Sequence, residues 1–172
     1  GRLPGESGLG EHMRGSGRRL RLGGLFMVVA MSLALGSCAT RGAVDGARMS
    51  TADSAAEAGQ WMSYSRTWDE QRFSPLDQIN EGNVSRLGLA WYDDLNTYRG
   101  VQSTPLYVDG VLYNASVWNV VTAYDAGNGR VLWRFDPKVD RQWARLACCG
   151  PTTRGIALWK GRVYIGALDG RL

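Results

Sequence analysis

The feature that most constrains the fold of this chain is an internal repeat in its C-terminal half. Residues 106–113 read Leu-Tyr-Val-Asp-Gly-Val-Leu-Tyr, and residues 157–164 read Ala-Leu-Trp-Lys-Gly-Arg-Val-Tyr, 51 positions later. In the first copy, Asp109-Gly110 separates two strand-like runs, which is a strong hairpin pattern. A repeat of roughly fifty residues is typical of the blades of a β-propeller.

Further strand-like segments fill the space between the two copies. Residues 104–108, 111–114, 120–124 and 131–135 predict four antiparallel strands in succession, with a second turn at 125–130. One blade cannot bury both of its faces, so further repeats must follow in a complete propeller. We therefore predict an all-β fold, a β-propeller of which only the first one to two blades are present. An open β-sandwich is the alternative, but it does not explain the repeat.

The N-terminal part predicts export. Residues 1–12 are interpreted as unstructured upstream sequence, and residues 13–38 as a signal peptide whose uncharged stretch, 22–35, is too short to span a bilayer comfortably. Leu35-Gly-Ser-Cys38 resembles a bacterial lipobox, which predicts lipidation of Cys38 and a periplasmic, membrane-attached protein. A plain signal peptide cleaved near Ala39 and an uncleaved anchor remain open. Residues 39–60 are predicted to be a linker, and 61–172 the folded propeller part.

The charge distribution argues against a nucleic-acid partner. The chain has a formal net charge of +4. The excess of positive charge lies in the basic residues of the signal segment. From residue 39 onward, basic and acidic residues are nearly equal in number. The folded part therefore lacks the basic surface that tracks a phosphate backbone.

Apolar residues before, between and within the two copies of the repeat give two further predictions. Residues 74–80 predict a turn leading into a short helical segment whose inward residues are Ile79, Val84 and Leu87, followed by a strand at 89–92. Three tryptophans could stack on a flat ligand, but their strand and turn context favours packing between blades: Trp118, Trp143 and Trp159.

Several motifs resemble those of quinoproteins. Ala123-Tyr-Asp-Ala-Gly-Asn-Gly-Arg-Val-Leu-Trp133 is similar to their tryptophan-docking motif, although the family often has Thr where this chain has Asn128. Residues 64–79, 99–105 and 148–155 resemble the methanol/ethanol dehydrogenase branch of the pyrroloquinoline-quinone (PQQ) enzymes. The resemblance covers residues 61–172 and implies an eight-bladed propeller.

This resemblance implies an activity, its cofactors and its partners. The family oxidises primary alcohols to aldehydes by hydride transfer to PQQ, assisted by calcium or a lanthanide, and passes electrons to a cytochrome c. A fused haem c domain is compatible with the family. The metal ligands and the catalytic Asp belong to later blades of the family pattern. We therefore expect no catalytic or metal-binding residue in this fragment, and we expect the fragment alone to be inactive.

The resemblance also assigns four cofactor contacts. Cys148 and Cys149 match the adjacent cysteines whose strained disulfide ring stacks on the quinone, and two buried, unpaired thiols are the alternative interpretation. Arg154 matches the arginine that reaches the quinone oxygens. Gln102 stands where the family commonly has Glu, so it keeps an acceptor, gains two donors and loses the charge.

The repeat makes a geometric prediction about these four residues. Shifted by the repeat length, Gln102 is equivalent to Thr153, which is adjacent to Arg154. All four residues should therefore lie at one end of the blades and converge on one pocket. The rival class is a non-catalytic, lipid-anchored propeller that helps to assemble outer-membrane proteins. Such a scaffold shares the lipobox and the tryptophan motif, but it has no reason to carry Cys148-Cys149 followed by Arg154.

Overall fold

A computed structural model describes residues 43–172 of the chain. The predicted succession of strands is confirmed. Four strands form an antiparallel sheet in sequence order, and a second hairpin forms a sheet of its own. The strands are β1 (Leu106–Val108), β2 (Val111–Ala115), β3 (Val121–Asp125), β4 (Val131–Phe135), β5 (Ala157–Trp159) and β6 (Arg162–Tyr164).

The sequence repeat is a structural repeat with the same strand register. Leu106 pairs with Tyr113 in the first hairpin, and Ala157 pairs with Tyr164 at the equivalent position of the second. Both hairpins turn through two residues with left-handed backbone, as two-residue type I′ turns require; they are Asp109 (φ 50°), Gly110 (φ 83°), Lys160 (φ 48°) and Gly161 (φ 73°). Residues 43–172 thus contain one four-stranded blade and the first hairpin of the next.

The hydrophobic core lies on one face of the first blade. Alternate residues of its strands point to this face, and residues leading into β5 and within it pack against them. The buried members from these two units include Leu106, Val108, Tyr113, Ala115, Ala123, Ile156 and Leu158. This contact between a complete blade and the next hairpin is the packing expected of neighbouring propeller blades.

The turn between β3 and β4 explains part of the tryptophan-docking motif. Gly129 has a left-handed backbone, with φ 74°, and the ring of Trp91 packs directly over it. A Cβ atom on Gly129 would lie 2.6 Å from that ring. The Trp91 indole N–H also donates to the carbonyl oxygen of Ala126 at 2.9 Å. The motif's glycine therefore makes room for a side chain from the segment that precedes the blade.

The predicted linker is wrong for residues 43–60, which belong to the fold. A short helix, α1 (Gly46–Met49), is capped by Asp45, and a 3₁₀ turn follows at Ala55–Glu57. The helix carries a buried Met49, which joins the core together with Val44 and Ala52. The small, polar composition of the segment conceals these few apolar contacts. Residues 39–42, the signal segment and Cys38 lie outside the described residues.

The Arg48 side chain ties this N-terminal segment to the first hairpin. Its guanidinium donates to the carboxylate of Glu57 at 2.8 and 2.9 Å and to that of Asp109 at 2.7 and 2.8 Å. These bidentate pairs are partly buried and raise the pKa of Arg48 above its ordinary value, mainly through the hydrogen bonds to Asp109 and then Glu57. The segment is thus held at the β1–β2 turn.

The segment before the first blade also differs from its prediction. Its one helical element is a 3₁₀ turn at Val84–Arg86, and the predicted inward residues Ile79, Val84 and Leu87 are more than half exposed. Residues 89–92 form no strand, because they pair with no neighbouring strand; only the Trp91 side chain packs against the blade. Among residues 43–172, no helix is long and apolar enough to cross a membrane.

Candidate functional site

Three connecting segments meet at one end of the first blade. Residues 99–105 lead into β1, residues 116–120 connect β2 to β3, and residues 136–156 connect β4 to β5. The amide of Thr104 donates to the carbonyl oxygen of Arg154 at 3.3 Å, and the amide of Trp118 donates to that of Pro151 at 2.9 Å. These bonds join the loop that carries the cysteine pair to the two other segments.

A cavity of about 280 Å³ opens where the three segments meet. Gln102 from the first segment and Cys149 from the third both line it, which confirms the predicted convergence for these two residues. Arg154 and Cys148 are not among the lining residues, but both interact with the Cys149 thiol at the cavity wall. The remaining lining residues are Arg99, Gly100, Val117, Pro151 and Thr152.

The two cysteines are free, exposed thiols in the structure. Their Sγ atoms lie 2.9 Å apart, closer than a non-bonded sulfur contact but longer than the roughly 2.05 Å of a disulfide bond. The predicted disulfide between Cys148 and Cys149 therefore stays a prediction. The alternative of two buried packing thiols is wrong, because both residues are exposed.

The thiol pair is electrostatically asymmetric. A hydrogen bond from Cys148 lowers the pKa of Cys149, and the hydrogen bond and positive charge of Arg154 lower it further. The same hydrogen bond raises the pKa of Cys148, because it stabilises the protonated thiol. In the reduced protein the negative charge thus forms first on Cys149, beside the guanidinium of Arg154.

Sequence reasoning missed Arg99 as a candidate site residue. Arg99 lines the cavity with Gln102, and within residues 43–172 its side chain forms no ion pair or hydrogen bond. Its position three residues before Gln102, in the same motif-bearing stretch, was the available clue. Two guanidinium groups, an uncharged amide and an exposed pair of sulfurs fit a flat ligand that carries several carboxylates.

Trp118 lies beside this cavity, and its interpretation as a blade-packing residue stays a prediction. Its backbone is left-handed, with φ 64°, and the guanidinium of Arg141 lies 4.0 Å from its ring centroid. Trp118 and Arg99 both line a neighbouring cavity of about 490 Å³. Trp143 and Trp159 are each 37% exposed.

Residues 43–172 contain no group of three or more His, Cys, Asp or Glu side chains arranged to hold a metal ion. The predicted calcium or lanthanide site, which the family pattern places in later blades, stays a prediction.

A four-stranded blade followed by the first hairpin of the next, with adjacent cysteines in the loop between them, is the arrangement expected of a propeller of the quinoprotein class. The sequence profile of a family described as the glucose/ethanol/alcohol dehydrogenase β-propeller domain, abbreviated PQQ, matches residues 61–172. The match covers every residue of the first blade and of the following hairpin. The chain therefore belongs to the PQQ-dependent alcohol dehydrogenase family.

Relatives and solved structures agree with this assignment. The chain is 54% identical over 129 residues to quinohemoprotein alcohol dehydrogenase ADH-IIG of Pseudomonas putida, a match that covers 75% of this chain and 18% of that protein. It is 53% identical over 114 residues to the dehydrogenase subunit of a quinone alcohol dehydrogenase from Komagataeibacter europaeus, covering 66% and 15% respectively.

Two solved structures share the fold. The ADH-IIG structure from Pseudomonas putida superposes with a TM-score of 0.72 at 53% identity, covering 76% of this chain and 19% of that one. A europium-containing methanol dehydrogenase superposes with a TM-score of 0.65 at 31% identity, covering 71% and 21%. The chain thus spans about a fifth of the length of the proteins it matches.

Proposed function

We propose that this chain is the N-terminal part of a periplasmic PQQ-dependent dehydrogenase that oxidises primary alcohols to aldehydes. The observation that carries the proposal is the shared cavity of Gln102 and Cys149, with the Arg154 guanidinium interacting with Cys149. The names of relatives support the substrate class. One that is 44% identical over 117 residues is the 1-butanol dehydrogenase (cytochrome c) of Thauera butanivorans.

The residues present suit the quinone in three ways. Cys148 and Cys149, if joined as an eight-membered ring, would form a rigid flat surface beside the cavity that excludes water from one face of a ligand. Arg154 holds a fixed positive charge beside Cys149, where a developing negative charge on a ligand oxygen is stabilised. Gln102 offers an amide donor and acceptor without adding charge beside a tricarboxylate. When bound, PQQ supplies the hydride-accepting quinone.

The other components of the proposed enzyme lie outside the described residues. Calcium or a lanthanide, a catalytic Asp and a cytochrome c acceptor follow from family membership, and a fused haem c domain is compatible with the quinohemoprotein relatives. Lipidation of Cys38 would attach the protein to the membrane. We propose that this fragment carries one wall of the cofactor site and is inactive by itself.

The experiment is an alcohol-oxidation assay on the complete gene product, reconstituted with PQQ and calcium. We expect reduction of an artificial electron-acceptor dye that depends on both a primary alcohol and added PQQ. A Cys149→Ser variant should lose most of this activity, whereas Arg145→Ala, an exposed substitution elsewhere in the same loop, should retain it. A reconstituted, folded protein that oxidises no primary alcohol would contradict the proposal and favour the non-catalytic scaffold.

A further inference from the structure

A buried polar residue lies behind the cysteine loop, in the turn between β2 and β3. Asn119 is only 4% exposed, and its backbone is left-handed, with φ 60°. Asparagine is among the few residues that adopt this conformation at low cost. A buried amide side chain must satisfy its hydrogen-bonding groups within the protein, so its partners show what the residue holds in place.

The partners of Asn119 all lie beyond the first blade. Its side-chain Nδ2 donates to the hydroxyl of Thr153 at 3.0 Å and to the carbonyl oxygen of Gly166 at 3.2 Å. Its Oδ1 accepts from the amide of Leu168 at 2.8 Å, and its own backbone amide donates to the Thr153 hydroxyl at 3.2 Å. One side chain therefore joins the first blade both to the cysteine loop and to the chain after β6.

No other residue type reproduces this set of bonds. Asp offers no donor for the Thr153 hydroxyl or the Gly166 carbonyl, and an apolar residue would leave the part-buried amide of Leu168 and carbonyl of Gly166 without this partner. Asn119 thus fixes Thr153, which is itself only 5% exposed. Thr153 is the residue directly before Arg154.

The same turn holds the cysteine loop at a second point. The neighbouring Trp118, also in a left-handed conformation, donates its amide to the carbonyl oxygen of Pro151. The loop is thereby bound at 151 and 153, between the cysteines and Arg154. By contrast, the side chains of Cys149 and Arg154 are exposed, so their positions depend mainly on the backbone that carries them.

We propose that Asn119 is the positioning residue of this site: through Thr153 it sets Arg154 relative to the Cys148-Cys149 pair and thereby shapes the site for its ligand. The inference deepens the proposed function, and its part that concerns PQQ binding rests on that function. Asn119 does not touch the cavity. It acts only through the loop, so its substitution should alter the properties of the cysteine pair and of ligand binding without removing any contact group.

The first test needs no cofactor. In the reduced, complete gene product, the rate of Cys149 alkylation by iodoacetamide is measured against pH. The groups that face this thiol are Cys148 and Arg154, and the guanidinium favours the thiolate. We expect Asn119→Ala to move the pH midpoint of alkylation upward, toward that of an ordinary thiol. Asn114→Ala is the matched control, because Asn114 lies on β2 and its side chain forms no hydrogen bond within residues 43–172.

The second test measures the dissociation constant for PQQ by titration. We expect Asn119→Ala to weaken binding by about tenfold, equivalent to about 1.4 kcal/mol, and Asn114→Ala to leave it unchanged. If Asn119→Ala does not fold, both measurements are made on substitutions of Thr153 instead. Thr153→Val removes the hydroxyl and should reproduce both effects, whereas Thr153→Ser keeps the hydroxyl and should restore wild-type behaviour.

The two tests separate this inference from the proposed function. A wild-type protein that binds no PQQ, but whose Cys149 midpoint shifts in Asn119→Ala, contradicts the proposed function and supports the positioning role. Folded Asn119→Ala or Thr153→Val variants with a wild-type Cys149 midpoint and wild-type PQQ affinity would overturn the positioning role.

Discussion

Replacing Gly129 by Ala should destabilise the protein for two separable reasons. At φ 74° an L-residue pays a backbone penalty of about 1–2 kcal/mol. The added Cβ would also lie 2.6–2.8 Å from three atoms of the Trp91 ring, and forcing a methyl group into a packed contact costs about 1–3 kcal/mol. We therefore expect Gly129→Ala to lower the free energy of unfolding by about 2–5 kcal/mol.

Gly110→Ala isolates the backbone part of this cost. Gly110 has φ 83°, but a Cβ there meets no atom within 4 Å, so only the penalty of about 1–2 kcal/mol applies. The assay is urea denaturation of the complete gene product followed by circular dichroism, with both variants compared with the wild type. A double-mutant cycle with Trp91→Ala tests the contact directly, because removing the ring should relieve the steric part. If Gly129→Ala is no more destabilising than Gly110→Ala, the Trp91 ring does not pack against Gly129 as described.

Three further predictions concern the site and the N-terminus. In the reduced protein, Arg154→Ala should raise the pH midpoint of Cys149 alkylation, because the guanidinium lowers the pKa of that thiol; an unmoved midpoint would place Arg154 away from Cys149. Gln102→Glu should change the dissociation constant of PQQ by the equivalent of about 1–3 kcal/mol, since a carboxylate loses the amide donors and adds a negative charge; an unchanged dissociation constant would mean that Gln102 is no contact. Mass spectrometry of the membrane fraction should find a lipid-modified N-terminus at Cys38, and a free mature chain beginning at Ala39 or later would contradict lipidation.

The blade could be predicted from the sequence because the residues that specify each of its turns are adjacent in the chain. Asp109-Gly110 and Lys160-Gly161 specify the same tight turn, and the spacing between them specifies the repeat. The convergence of Gln102 and Cys149 followed from that spacing alone, because equivalent positions of neighbouring blades lie at the same end.

The parts that the sequence did not predict depend on contacts between distant residues. Asn119 looks like an ordinary turn residue, yet its partners lie at Thr153, Gly166 and Leu168. Residues 43–60 look like a linker because only a few apolar side chains, among them Met49, anchor them to the core. Helical or strand-like periodicity cannot predict these contacts, because each depends on a single side chain. Whether such a side chain is buried depends on which distant residues the fold places next to it.

The measurement that tests the central claim most directly is the dissociation constant of PQQ for the complete gene product, compared between the wild type, Arg154→Ala and Arg145→Ala. Arg154 interacts with Cys149 at the cavity, whereas Arg145 is an exposed arginine in the same loop and serves as the control. A hydrogen bond to a charged group contributes about 1.5–3 kcal/mol, so we expect Arg154→Ala to bind PQQ about 10- to 150-fold more weakly and Arg145→Ala to bind like the wild type. Equal affinities of all three proteins, or no binding by any of them, would contradict the assignment of this cavity to the quinone.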